Sequence, residues 1–113
     1  MHIEALLRLV TERYPCTEKE YPEMQVLDDT GKKRLERAHT LFHVITSTGR
    51  IASQLEMIDH GSVINTDVMQ QRVGKLLLDV MRLAAACDMT EADIKEFLDA
   101  WATRTPPPDR SKK

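Results

Sequence analysis

The 113 residues carry 42% apolar and 30% charged side chains, with a formal net charge of −2 and a pI near 6.1. That length suffices for one hydrophobic core and not for two, and the charge balance supplies no basic field for duplex nucleic acid. Aromatic residues at 4% and four glycines are thin material for a turn-rich β-sandwich or barrel, whereas leucine, alanine and six methionines favour helix. Cys16 and Cys87 are too few for a disulfide scaffold and suit a reducing cytoplasm, the expected location. The N-terminal stretch is broken by Glu4 and Arg8 and does not read as a signal peptide. No apolar run approaches the roughly 20 residues of a membrane span, so no membrane partner is expected.

In chain order, Ile3, Leu6, Leu7 and Val10 recur at helical spacing, and the first helix should stop before Tyr14-Pro15. Cys16 to Thr30 is polar, acidic and interrupted by Pro22, which predicts a connector with at most one short turn. Lys32 to His60 reads as one long helix, with Leu35, Ala38, Leu41, Phe42, Ile45, Ala52, Leu55 and Ile58 at three- and four-residue steps. Gly49 lies inside it and is expected to permit close helix packing; Gly61 supplies the stop. Asn65-Thr66-Asp67 offers caps for a third helix whose stripe runs Val73, Leu76, Leu77, Val80, Leu83, Ala84 and Cys87, making Cys87 a core thiol. Thr90 and Asp93 form a capping box for a fourth helix buried through Ile94, Phe97, Leu98 and Trp101. The expected organisation is a single helical domain over 1–104, with an N-terminal helix and connector (1–30) and a helical core (31–104); 105–113, with Pro106-Pro107-Pro108, read as a disordered tail.

The core should be built from Leu41, Ile45, Leu55, Val73, Leu76, Leu77, Val80, Leu83, Phe97 and Leu98. A helix over Lys32–His60 spans roughly 42 Å, more than so short a chain can cover, so a homodimer or tetramer is expected. Among chemical motifs, His39 and His43 share a face four residues apart, a spacing that suits zinc. They lack a following Glu and an obvious third ligand, and read as a helix-surface pair. Gly-rich phosphate loops and nucleophile elbows are absent. The more specific pattern is two polar faces. His43, Ser47, Arg50 and Gln54 align on the long helix, and Arg72, Lys75, Asp79 and Arg82 align on the next. Taken alone, these are two solvated faces laced by i,i+4 pairs such as Lys75 with Asp79.

The segment Thr46-Ser47-Thr48-Gly49-Arg50-Ile51-Ala52-Ser53-Gln54-Leu55 resembles the T-E-A-G-E-L-x-x-A-L of MazG-like all-α nucleoside triphosphate pyrophosphohydrolases. Gln71-Arg72-Val73-Gly74-Lys75-Leu76-Leu77 is similar to that family's E-E-L-G-D-x-L, and Leu83 to Thr90 to its L-x-x-L-A-D-x-L-G-x-S. The resemblance covers Leu41 to Ala100 and rests on the two glycines and the helix phasing. It implies a four-helix MazG-like bundle with two long antiparallel helices, assembled as an oligomer. Family enzymes hold magnesium through E-x-x-E and E-x-x-D, because hard Mg²⁺ needs carboxylate oxygens. Here Ser47, Arg50, Arg72 and Lys75 stand at those four places, and three of them are cationic.

The replacements imply a non-catalytic MazG-like protein with no metal site, no catalytic residues and no cofactor. The former metal face, comprising His43, Ser47, Arg50, Gln54, Arg72, Lys75 and Asp79, would bind a nucleotide, another phosphate ligand or a protein partner. The alternative is an active, magnesium-dependent pyrophosphohydrolase that uses Glu56 and Asp79, or acids of Glu18-Lys19-Glu20; a purely structural helical oligomer is a third reading. In the MazG-like arrangement Arg50, Arg72 and Lys75 converge, and their repulsion is relieved by splaying, by pairing with Asp79 or Glu56, or by a bound phosphate.

Overall fold

The structure is a computed structural model that describes residues 1–104. These residues form an all-α arrangement without strands: α1 (Ile3–Arg13), α2 (Asp29–Asp59), α3 (Thr66–Ala86) and α4 (Glu91–Arg104), with a short 3-10 turn over Pro22–Val26. None of these helices is long and apolar enough to cross a membrane. The expected tail, 105–113, lies outside the described residues.

Local chemistry sets the boundaries. α1 ends at Arg13, before Tyr14-Pro15. The long helix starts three residues earlier than its apolar pattern indicates, because the Asp28 carboxylate accepts from the Gly31 N–H at 2.7 Å and caps a polar first turn. It stops where Gly61 takes a φ of +96°. Asn65 caps α3 through Val68 N, and Thr90 with Asp93 closes the reciprocal box that opens α4.

α2 and α3 pack along their length, and α1 lies against α3. The pairing is antiparallel: Ser47 meets Asp79, while Arg37, farther back on α2, reaches the Ala86 carbonyl farther on along α3. The seam itself is small and polar, with Thr40 and Ser47 of α2 buried against Asp79, Arg82 and Ala86 of α3. Buried apolar side chains are Leu7 and Val10 of α1, Met24 of the 3-10 turn, and Ala86.

The expected core is therefore corrected. Leu41, Ile45, Leu55, Val73, Leu77, Val80, Phe97 and Leu98 are exposed in the single chain, and only Leu76 and Leu83 are half-buried. The reason is geometric: α1 covers the Arg82 and Ala85 flank of α3, no element covers the other flank, and α4 packs on no helix to any extent. Cys87, expected in the core, is likewise exposed. At Gly49 a Cβ would meet nothing within 4 Å, so no close helix approach within the chain explains that glycine.

Candidate functional site

The polar faces of α2 and α3 meet α1 and the connector around a cavity of about 560 Å³, a size typical of small-molecule sites. Its walls are Arg13, Tyr14 and Pro15 from the end of α1, Glu20 and Tyr21 from the connector, His43, Thr46, Ser47 and Arg50 from α2, and Lys75 and Arg82 from α3. The connector is held against the long helix by Lys32, which pairs with Glu18 at 2.8 Å, and by Met24, buried beneath it.

The floor is an ion cluster centred on Asp79, which is 0% exposed. Its carboxylate takes a hydrogen bond from Ser47, one from Lys75 Nζ at 2.5 Å, and an ion-pair contact from Arg82 Nη1 at 3.5 Å. Burial pushes the Asp79 carboxyl up, but the bonds from Lys75 and Ser47 and the charges of Lys75 and Arg82 together hold it below its ordinary value. Asp79 is ionised at neutral pH, and the i,i+4 pair with Lys75 foreseen from spacing is part of a buried network. Tyr14 closes the cluster from above, with its ring centroid 4.4 Å from the Arg82 guanidinium and 5.3 Å from Lys75 Nζ.

One wall is a string of rings. Tyr21 Oη lies 2.5 Å from His39 Nε2, which lies 3.1 Å from His43 Nε2. At that separation the two Nε2 atoms cannot both carry protons, since donor would face donor. Burial, then the charges of Arg82 and His39, push His43 below its usual value, so the ring facing the cavity is neutral at pH 7. The two histidines face each other and Tyr21, and among the described residues no three His, Cys, Asp or Glu side chains converge as a metal cluster would.

Of the residues singled out in the sequence, His43, Ser47, Arg50 and Lys75 line the cavity, Asp79 lies beneath it, and Gln54 and Arg72 are not in its walls. Arg72 does not join Arg50 and Lys75; Arg82 and Arg13 stand there instead. Arg82 was legible on the α3 face, whereas Arg13, Tyr14 and Tyr21 come from the segment that the resemblance leaves unmatched, and no local pattern marks them. The acids of the catalytic alternative are dispersed: Glu18 pairs with Lys32, Glu56 stands 3.9 Å from His60, and Asp79 is committed to Lys75 and Arg82. Glu20 alone of these reaches the cavity wall.

Comparison of the chain with protein-family models, curated proteins and solved structures gives no match.

Proposed function

We propose that this chain is a metal-independent binding protein whose cavity seats a phosphate-bearing ligand without hydrolysing it. The observation that carries the reading is the charge of the walls. Four cations, Arg13, Arg50, Lys75 and Arg82, contributed by three helices, face two carboxylates, Glu20 and Asp79, leaving a surplus of two positive charges. Asp79 is spent on the floor, while Arg13 and Arg50 form no ion pair among the described residues. Guanidinium groups match phosphate oxygens bidentately, and Arg13 and Arg50 are exposed and free to turn toward a ligand in the cavity. A neutral donor stands beside them in the Thr46 hydroxyl. The same surplus of positive charge opposes a divalent cation, which agrees with the loss of the metal-binding acids implied by the MazG-like resemblance.

Thermal unfolding with inorganic pyrophosphate or a nucleoside triphosphate, in chelator and in magnesium, tests this. At about ten times Kd, binding adds about 1.4 kcal/mol of stability. The expected result is a rise in Tm that chelator leaves intact and that the double variant Arg13→Ala/Arg50→Ala abolishes. No shift at millimolar ligand, or one that requires magnesium, refutes the reading. Steady pyrophosphate release from a triphosphate, stopped by chelator, would establish the catalytic alternative instead.

A further inference from the structure

We propose that α4 is an exchanged arm, which in solution covers the bare apolar face of α2 and α3 on a second copy of this chain. Three observations lead there. The first is the location of the uncovered surface. On α3, Val73, Leu77 and Val80 lie about a quarter to a half turn from the Asp79 seam, and on α2 Leu41 and Ile45 are displaced in the same sense. In antiparallel helices the same sense of rotation away from the seam leads to the same side, so these side chains form one apolar face. It lies opposite the flank that α1 covers through Val10 and Tyr14.

The second observation is that α4 carries a matching stripe with nothing on it. Phe97, Leu98 and Trp101 are 66%, 50% and 61% exposed, and no residue of α4 is buried. The corner between α3 and α4 holds it away from its own hairpin. Asp88 takes a φ of +60°, and its carboxylate pairs with Lys33 at 2.8 Å and Arg37 at 3.5 Å, both on α2. Arg37 also donates through Nε to the Ala86 carbonyl at 3.2 Å. Folding α4 back over its own α2 and α3 would break this corner, whereas an arm laid on a second copy keeps it.

The third is area. A compact monomer of 12.9 kDa exposes about 6300 Å²; this chain exposes 8802 Å², an excess of about 2500 Å². Its radius of gyration is 18.0 Å, against about 13 Å for a compact domain of this length. That excess is an upper bound on what a partner covers; half of it on each of two chains, about 2500 Å² in total, falls within the range of obligate homodimers. A second copy supplies both halves of the contact at once, arm to face and face to arm, as a closed two-fold pair requires.

Trp101 is the only tryptophan, so it reports on the arm directly. Light scattering and intrinsic fluorescence are followed together from high to low micromolar concentration. The expected species is a dimer or a higher even assembly, with blue-shifted emission that moves red as dilution releases monomers. Phe97→Glu on the arm and Leu77→Glu on the receiving face should each yield a helical monomer with solvent-exposed Trp101, checked by circular dichroism. The native chain decides the matter should either variant fail to fold. A monomer at high micromolar concentration overturns the proposal, whether Trp101 emits red or blue. So does an assembly in which Trp101 emits as if in water, since the hairpins would then pair without the arm.

Discussion

Replacing Asp79 with asparagine removes one charge from the buried cluster while keeping its shape and its ability to accept from Ser47. Lys75, whose side chain is 35% exposed, can turn its ammonium to water. Arg82 cannot: at 8% exposure it is left with the Tyr14 ring and no counter-charge. Breaking a buried pair from one side costs about 3–5 kcal/mol, and because one of the two cations escapes, the lower end applies, about 3 kcal/mol. For a domain of this size, at about 4–8 °C per kcal/mol, Tm falls by more than about 10 °C. Urea unfolding at neutral pH and fixed chain concentration measures it directly. Two companions sharpen the test. Arg82→Met added to Asp79→Asn should recover more than half of the loss, because the stranded charge is gone. Acid should erase the difference between the native chain and Asp79→Asn. The folded carboxyl sits below its unfolded value of 3.8, so its stabilisation is complete above that value and disappears as pH falls through the lower folded one. A loss under about 1 kcal/mol, or no recovery with Arg82→Met, refutes the assignment of Asp79 as the counter-charge of the floor.

His43 is held below its unfolded value of 6.5 by burial first, then by Arg82 and His39, with Lys75 adding to them and Asp79 opposing. The unfolded chain therefore binds the proton more readily, and stability should fall as pH drops below about 6.5; His43→Gln should flatten that part of a plot of urea midpoint against pH, and an unchanged slope would show that the ring does not titrate against these cations. Gly61→Ala meets no atom within 4 Å but is forced to a φ of +96°, so urea unfolding should show a loss of about 1 kcal/mol from backbone strain alone; no loss would mean that the end of α2 can rearrange freely.

The helices were legible because their signals are local. Tyr14-Pro15, Gly61, Asn65 and the Thr90–Asp93 box act within a few residues of themselves, and each marks a boundary where it was expected. The early start of α2 was missed because Asp28 caps a polar first turn, which leaves no trace in an apolar periodicity. Four of the seven proposed site residues line the cavity, since His43, Ser47, Arg50 and Lys75 follow from helix phase alone. Which helix faces meet is a tertiary fact, and there the periodicity misled. It identified the apolar stripes of α2, α3 and α4 but not that the seam between α2 and α3 would be made by Thr40, Ser47, Asp79 and Ala86 instead. Phase gives a direction on each helix; it does not say which neighbour lies in that direction.

The polar seam and the bare stripes follow from one choice of packing. Small side chains at Thr40, Ser47 and Ala86 let α2 and α3 approach along a surface that buries little hydrocarbon, so the seam adds less hydrophobic stabilisation than a leucine-lined one would. What it adds is definition: Asp79 satisfies Ser47, Lys75 and Arg82 at one register, and sliding either helix by a turn strands an ionised carboxylate. The same register sets Lys75 and Arg82 beneath the wall that carries Arg13 and Arg50, which fixes where the surplus positive charge lies. It also turns Leu41, Ile45, Val73 and Leu77 outward, away from the cavity. The charged surface on one flank and the apolar surface on the other can then be altered separately: under the two proposals, Arg13→Ala/Arg50→Ala should leave the concentration dependence of Trp101 emission unchanged. Coupling between the two would mean that the proposed second copy reaches the cavity as well.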